Sequence, residues 1–543
     1  MASVSTWGKR TLALGAGAAA TALVLTGCAG GTSGGSGDLN GLIIGTTDKV
    51  TSLDPAGSYD NGSFAVQNQV FPFLMNTPTG SPDVEPDIAE SAEFTAPTEY
   101  TVTLKEGLKW ANGHDLTSSD VKFSFDRQVA IAAENGPSSL LANLDSVAAP
   151  DDTTVVFTLK SDNDQTFPQI LSSPAGPIVD EEVFSADELT ADEDIVSGDA
   201  FAGQYTIANY DVNNLIQYKA YDDYQGVLGE AKTGTVNVKY YADSSNLKLD
   251  IQEGNIDVAY RSLSATDVED LRGNDAVKVV DGPGGEIRYI VFNFDTQPFG
   301  ATTPEADAAK ALAVRQAAAD LIDRDEIADQ VYKGTYTPLY SYVPAGLTGA
   351  TESLKGLYGD GQGGADADKA AATLQAAGVT TPVTLNLQYS NDHYGPSSGD
   401  EYALIKDQLE STGLFTVNLQ TTEWVQYSKD RSSDVYPAYQ LGWFPDYSDA
   451  DNYLSPFFIK ENFLANHFDD ADVQSLIAEQ VSTTDADART ALIEEIQDEV
   501  AAQLSTLPYL QGSQVAVVGS TVSGAEDTLD ASFKFRYAAL IKG

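Results

Sequence analysis

The order of secondary structure between residues 383 and 419 constrains the fold more than any other feature of the sequence. Apolar side chains alternate along 383–389 and again along 415–419, which is the period of a β-strand with one buried face. Between these segments, apolar residues recur at helical spacing from Tyr402 to Leu409. A strand, a helix and a strand in this order form a βαβ unit, so we predict an α/β fold with a parallel or mixed sheet.

Similar patterns predict regular structure along much of the chain. Strands are predicted at 42–45, 100–104 and 154–159, and helices at 64–74, from a Thr/Ser cap near residue 117 to about residue 133, at 365–377 and at 485–504. The length of 543 residues exceeds what one ordinary core holds, so two or three domains are expected.

The charge of the chain argues against two classes of partner. Eighty acidic residues against 30 basic ones give a formal net charge of −50. Nucleic acid is not expected as a ligand, because its phosphates need Lys and Arg. Docking on anionic lipid through a basic face is not expected either. A solvated acidic surface that serves solubility explains the charge best.

The N-terminus has the features of an export signal. Two basic residues precede an apolar, alanine-rich run from Thr11 to Thr26, which is too short for a comfortable membrane span. The run ends in Leu-Thr-Gly followed by Cys28, and this resembles a bacterial lipobox. We therefore predict a lipoprotein signal peptide at 1–27 and lipidation of Cys28. An ordinary signal peptide with an incidental cysteine is the alternative.

The segment after the signal peptide is predicted to tether a body outside the cell. Cys28 is the only cysteine, so no intrachain disulfide is possible despite the predicted export. Residues 28–37 are rich in Gly and Ser, as expected of a flexible tether.

A loop at 442–454 has the composition of a ligand site. Pro445 and the acidic residues after it favour a turn over a regular element. Trp443 offers a flat apolar wall, and Asp446 offers a negative charge three residues on. A ligand with a cationic end and an apolar body would suit both. Alternatively, the loop lies on the surface and its aromatic residues only pin it to the core.

Motifs for catalysis or for a cofactor are lacking. His114, His393 and His467 have no metal-ligand spacing, and there is no G-x-S-x-G elbow. Residues 359–364 satisfy G-x-G-x-x-G, but no strand leads into them, so a Gly-rich loop is predicted. The aspartates of 446–451 lack the spacing of a helix–loop–helix calcium site. We predict no catalytic residues, no metal and no cofactor.

Several longer motifs identify a family. The run from Glu106 to Ser124, with EGLKWANG and LTSSDVKFS, resembles the signature of the family 5 extracellular solute-binding proteins of ABC importers. Leu-Asp-Pro at 53–55, the segment 250–258 and the segment 313–327 resemble other motifs of that family. The resemblance implies a two-lobed, periplasmic-binding-protein-like α/β fold (type II, cluster C). It also implies an extra subdomain and a ligand cleft between the lobes.

The resemblance also implies a domain plan in which the chain crosses between lobes near Ile287 and Gly512. The implied limits are 38–78 for the first part of lobe I, 79–196 for the extra subdomain, 197–287 for the second part of lobe I, 288–511 for lobe II and 512–543 for the return to lobe I.

Site residues follow from the peptide-binding branch of the family. There, an aspartate shortly after Gly-Trp binds the peptide α-amino group, and Asp446 after Trp443 matches that pattern. Trp424 and Arg431 match a tryptophan and an arginine that line the cleft, and Arg431 could pair with a peptide carboxylate. A surface cation is the alternative for Arg431. Gln440 stands where a further arginine is expected, which puts recognition of the C-terminal carboxylate in question.

Three more residues are candidates for the border of the cleft. They are Tyr59, Asn293 and Phe294, and core packing is the favoured alternative for each.

The leading hypothesis is a non-enzymatic protein that captures oligopeptides or dipeptides on the extracellular face of the cell membrane. It would be a lipid-anchored monomer that delivers its ligand to an ABC permease and, through it, to ATPase subunits. An oligosaccharide or another small solute is the second hypothesis. A secreted hydrolase is the third, and the missing catalytic motifs weigh against it.

Overall fold

The computed structural model describes residues 40–395 and 397–543, so Cys28 and the predicted signal peptide and tether lie outside the described residues. Among the described residues, none of the helices has the length and apolar character needed to cross a membrane. The strands are β1 (Leu42–Thr46), β2 (Met75–Asn76), β3 (Glu85–Pro86), β4 (Ala89–Ala96), β5 (Glu99–Leu104), β6 (Leu144–Ala148), β7 (Thr154–Leu159), β8 (Tyr205–Asp211), β9 (Leu215–Ala220), β10 (Thr235–Tyr240), β11 (Val258–Tyr260), β12 (Val277–Phe292), β13 (Tyr336–Pro338), β14 (Val383–Tyr389), β15 (Phe415–Thr421), β16 (Ala438–Trp443), β17 (Thr506–Gly519), β18 (Val522–Ser523) and β19 (Ile541–Lys542).

The α-helices are α1 (Asn61–Val70), α2 (Ser118–Ile131), α3 (Phe167–Ile170), α4 (Asp192–Ser197), α5 (Ser244–Glu253), α6 (Ala265–Arg272), α7 (Ala308–Leu321), α8 (Arg324–Gln330), α9 (Ser353–Leu357), α10 (Ala367–Ala376), α11 (Ser398–Glu410), α12 (Trp424–Arg431), α13 (Ser455–Phe458), α14 (Ala471–Ser482) and α15 (Ala486–Gln503). Short 3₁₀ turns lie at Pro55–Gly57, Ser138–Leu141, Ala450–Tyr453 and Tyr537–Ala539.

One large mixed sheet runs through the molecule in the order β15-β14-β16-β12-β17-β11-β1-β10-β9-β8. β14 is parallel to both β15 and β16, and β1 is parallel to both β10 and β11, whereas β12 and β17 are antiparallel to each other. The predicted βαβ unit is therefore confirmed as β14-α11-β15, and the prediction of an α/β fold with a mixed sheet is confirmed.

The long strands β12 and β17 join two separate hydrophobic cores. One core is built from residues 42–71, 179–280 and 516–540, and we call this part of the chain lobe I. The other is built almost entirely from residues 287–510, and we call this part lobe II. The register between β12 and β17 shifts between Pro283 and Ile287, where the chain passes from one core to the other. A third core, within residues 74–202, surrounds the small sheet β4-β5-β7-β6.

A glycine at this crossing lets the loop after β16 approach the long strands. A Cβ atom on Gly285 would lie 2.6 Å from Pro445 Cγ, so a larger residue would displace the loop. The hydroxyl of Tyr453 donates to the carbonyl of Gly285 at 2.6 Å and fixes the other end of the loop. Trp443, at the end of β16, and Asp446, in the loop that follows, are therefore held against the crossing.

A buried ion pair ties lobe I to the subdomain around the third core. The Arg127 guanidinium, on α2, binds both oxygens of Asp54 at 2.9 and 2.5 Å, and both residues are buried. The backbone N–H groups of Ala56 and Thr190 also donate to Asp54. This aspartate belongs to the Leu-Asp-Pro motif noted in the sequence.

The predicted helix at 64–74 is wrong at both ends. α1 begins at Asn61, because the side chain of Asp60 accepts from the N–H of Ser63 and caps the first turn. It ends at Val70, since Phe71 precedes Pro72, and a residue before proline is disfavoured in the helical region. The other predicted strands and helices match observed elements within a few residues.

Candidate ligand-binding cleft

A cavity of about 720 Å³ lies between the two lobes. Lobe I contributes α1 and the segments around residues 44–48 and 533–537, and lobe II contributes Trp424 and the loop from Gly442 to Tyr447. Its volume falls within the range of about 300–1,000 Å³ that is typical of small-molecule sites. Four predicted site residues line this cavity, namely Tyr59, Trp424, Trp443 and Asp446.

The carboxylate of Asp446 is held by neutral partners from both lobes. The hydroxyl of Tyr59, in lobe I, donates to Oδ1, and the amide of Asn452, in lobe II, donates to Oδ2 at 3.2 Å. Among the described residues, no Lys, Arg or His forms an ion pair with Asp446. Burial raises the pKa of Asp446 above its usual value, although the two hydrogen bonds oppose that rise.

Asn452 fixes the geometry of the whole loop. Its side-chain oxygen accepts from the indole N–H of Trp443 at 2.9 Å and from the backbone N–H of Asp446 at 2.9 Å. The Trp443 ring also packs edge-on against Phe457 and Phe463. The apolar wall and the charge predicted from the sequence are thus oriented by one buried amide.

Trp424 forms a second aromatic wall with neighbours from another loop. The ring of His393 stacks on Trp424 with centroids 3.6 Å apart and planes 5° from parallel, and Tyr394 packs edge-on at 5.6 Å. All three line the cavity. The sequence indicates no role for His393 at the cleft, because it does not show that the loop of His393 meets the start of α12.

Arg431 supports the cavity from behind and does not line it. It is buried, its guanidinium lies over the ring of Phe463 at 4.6 Å, and it donates to the Phe463 carbonyl at 3.0 Å. Phe463 in turn lines the cavity and is 45% exposed. Neither predicted alternative fits this position, because the residue is not a surface cation and its guanidinium is enclosed by protein.

The placement of Asn293 and Phe294 at the cleft is wrong. The register of β12 against β16 pairs Ile287 with Trp443 but Phe292 with Ala438, so the strand runs away from the cleft by about 17 Å over these residues. Asn293 is buried and donates to Asp434 at 2.8 Å, and Phe294 packs on Phe468. These two residues pack the core, which was the favoured alternative.

The acidic residues that follow Asp446 are used for structure. Asp449 forms a two-point ion pair with Arg489 at 2.7 and 2.8 Å, and Asp451 accepts from Ser455 and Gln480. Burial raises the pKa of Asp451 to about 7. In the part of the chain that the structure describes, no group of three or more His, Cys, Asp or Glu side chains is arranged to hold a metal ion.

Three further cavity residues, not predicted from the sequence, meet one another. Arg261, Phe444 and Phe533 meet in the wall, although they come from distant parts of the chain. Phe444 lies beside the predicted Trp443 and could have been found from that motif. No local signal marks Arg261 or Phe533.

The two lobes and the cavity between them define a protein built to enclose a small solute. Residues 83–464 match the family described as bacterial extracellular solute-binding proteins, family 5 middle. The chain belongs to this family, so it is an extracellular solute-binding protein and not an enzyme. Both predictions are confirmed.

Individual relatives are distant but cover nearly the whole chain. Heme-binding protein A of Haemophilus influenzae is 25% identical over 95% of this chain and 96% of its own length. The probable D,D-dipeptide-binding periplasmic protein DdpA of Escherichia coli is 24% identical over 89% of this chain and 90% of its own length.

A solved structure has the same fold. The ABC transporter substrate-binding protein CtaP of Listeria monocytogenes superposes with a TM-score of 0.77 at 22% identity, covering 92% of this chain and 99% of its own. The predicted two-lobed fold is therefore confirmed.

Proposed function

We propose that the protein captures short peptides in the interlobe cavity and delivers them to an ABC permease. One observation carries this proposal: Asp446 is a partly buried carboxylate in the cavity wall with only neutral partners among the described residues. A carboxylate that is partly removed from water and has no counter-charge is unfavourable. The α-ammonium group of a peptide would supply the missing charge, and the carboxylate retains acceptor capacity beyond its two hydrogen bonds.

The aromatic walls supply the remaining recognition. Trp443 and the stacked pair of Trp424 and His393 offer flat apolar surfaces to side chains of varied shape. The name of the relative DdpA includes dipeptide binding, which supports a peptide ligand.

Calorimetric titration of the purified protein with a panel of di- and tripeptides tests the proposal. We expect saturable binding, with the peptides recovered intact by mass spectrometry. Binding of none of these peptides would contradict the proposal.

A neutral oligosaccharide or another small solute is the second candidate, and the aromatic walls favour it because sugar rings stack on such surfaces. Under this alternative Asp446 accepts from a hydroxyl group. Binding of oligosaccharides but of no peptide in the same titration would support it.

The affinity for peptides is expected to weaken as the pH falls, beginning at a higher pH than an ordinary aspartate would produce. The ammonium group needs ionised Asp446, whose pKa is raised by burial above the usual value of about 3.9. Protons therefore compete with the ligand, whose own amino group stays charged below about pH 7. Titrations between about pH 4 and pH 7 measure how the peptide affinity changes with pH. The change should vanish in Asp446→Asn. A wild-type affinity that stays constant over this range would contradict the pairing of Asp446 with the ammonium group.

We also propose that Cys28 carries a diacylglyceryl group that holds the protein on the outer face of the membrane. Two acyl chains suffice for stable anchoring, whereas one is marginal. Cys28→Ala should move the protein from the membrane fraction to the medium or leave it unprocessed. Fractionation and intact mass measure this, and an unchanged distribution with an unchanged mass would contradict the anchor.

A further inference from the structure

A second cavity of about 230 Å³ adjoins the cleft beside the crossing strands. The walls of both cavities include Arg261, Tyr394 and Phe533. Arg261 follows β11 directly, so the edge of lobe I places its side chain where the two cavities meet.

The backbone at Arg261 has an unusual conformation. Arg261 and Ser262 have φ values of +56° and +66°, in the left-handed region that side chains other than glycine rarely adopt. The Ser262 hydroxyl accepts from the N–H of Thr47 at 2.9 Å, and the N–H of Arg261 donates to the carbonyl of Val515 at 3.2 Å. Such conformations persist where the surroundings fix them, and they cluster at ligand sites.

Aromatic rings from both lobes hold the guanidinium group of Arg261. It lies 4.5 Å from the ring centre of Phe533 in lobe I and 5.7 Å from that of Phe444 in lobe II. Its single ion-pair contact among the described residues is to Asp48, at 3.8 Å. No side-chain hydrogen bond to any described residue satisfies its N–H groups. Contact with the two rings thus positions the guanidinium group and leaves its N–H groups for a carboxylate.

Lys534, the other basic residue in the wall of the large cavity, is already engaged. Its ammonium group donates to the Ser172 carbonyl at 2.7 Å and to Asn76 Oδ1 at 3.3 Å, and burial lowers its pKa. Arg431, predicted from the sequence to pair with a peptide carboxylate, lies behind the wall. Of the two Lys and Arg side chains in the wall of the large cavity, Arg261 is therefore the one whose donors remain for an anionic ligand.

We propose that Arg261 binds the C-terminal carboxylate of the peptide whose α-ammonium group Asp446 binds. This inference rests on the proposed function. Arg261 contacts Phe444, which lies two residues before Asp446. An extended chain rises about 3.3–3.6 Å per residue, so the Cα atoms of Phe444 and Asp446 are at most about 7 Å apart, a separation that a short peptide can span. The site thus selects short zwitterionic peptides by reading both ends at once.

The test compares free di- and tripeptides with their C-terminal amides on the wild type and on Arg261→Gln. Amidation should weaken wild-type binding about 30-fold or more, the effect typical of removing one partner of an enclosed charge pair. In Arg261→Gln, free and amidated peptides should bind alike. Arg261→Lys retains the charge but not the planar fork, so it should show a reduced preference for free peptides.

Arg272→Gln is the matched control, because Arg272 forms an exposed ion pair with Asp281 and lines neither cavity. Arg272→Gln should prefer free peptides over their amides as strongly as the wild type does. Equal wild-type affinity for acids and amides would overturn the role of Arg261 and leave peptide capture intact. An amidation penalty that persists in Arg261→Gln would also overturn it. Failure of the wild type to bind any of the peptides would contradict both proposals.

Discussion

Asp446→Asn is expected to weaken peptide binding by about 30-fold to several-thousand-fold, which corresponds to about 2–5 kcal/mol. The substitution preserves the shape of the side chain and its place beside Asn452 and Tyr59, but it removes the charge that the ammonium group needs. A peptide that fills the cavity displaces water from around Asp446, so the lost attraction should be greater than it would be on the surface. Calorimetry with a free dipeptide measures the effect.

Acetylation of the peptide N-terminus removes the same charge pair from the side of the ligand. It should cost the wild type a similar factor, and the two changes together should be less than additive. Asp469→Asn is a matched control, because Asp469 is exposed, pairs with Lys460 and lies outside the cavity. If Asp446→Asn binds free peptides as tightly as the control does, the assignment of Asp446 is wrong.

Asp54→Asn is expected to lower the free energy of unfolding by about 3–5 kcal/mol. Arg127 is buried and binds both oxygens of Asp54, so the substitution leaves a buried guanidinium group without its counter-charge. The pair joins lobe I to the subdomain that contains α2, and weakening it should loosen that junction. Urea denaturation followed by tryptophan fluorescence measures the loss.

The control for this prediction lies on the same helix. Lys122 and Asp126 form an exposed pair on α2, and such pairs contribute about 1 kcal/mol or less. Asp126→Asn should therefore leave the denaturation curve almost unchanged. An equal loss of unfolding free energy in the two variants would contradict the stabilising role of the Asp54–Arg127 pair.

Features that depend on neighbours in sequence could be predicted from the sequence. The βαβ unit β14-α11-β15 follows from two alternating segments around one helical stripe, and each of these patterns is local. The same holds for Trp443 and Asp446, because the apolar ring and the charge lie only three residues apart in the sequence. The capping of α2 by Thr117 and Asp120 is likewise a local pattern.

Features that depend on long-range geometry could not be predicted. The sequence does not show which end of β12 faces the cleft, and this placed Asn293 and Phe294 wrongly. It also does not show that Phe463 covers Arg431. Arg261 and Phe533 meet only because β11, β17 and the C-terminal segment come together at the edge of lobe I.

Hydrogen exchange with and without a saturating dipeptide tests the central claim most directly, because it reports where the ligand sits. The proposed site predicts slower exchange in both walls of the cavity, at 59–69 in lobe I and at 442–447 in lobe II. Protection of both segments, lost in Asp446→Asn at the same peptide concentration, is the predicted result. Saturating binding that leaves both segments unchanged and protects another surface would contradict the claim that peptides bind between the lobes.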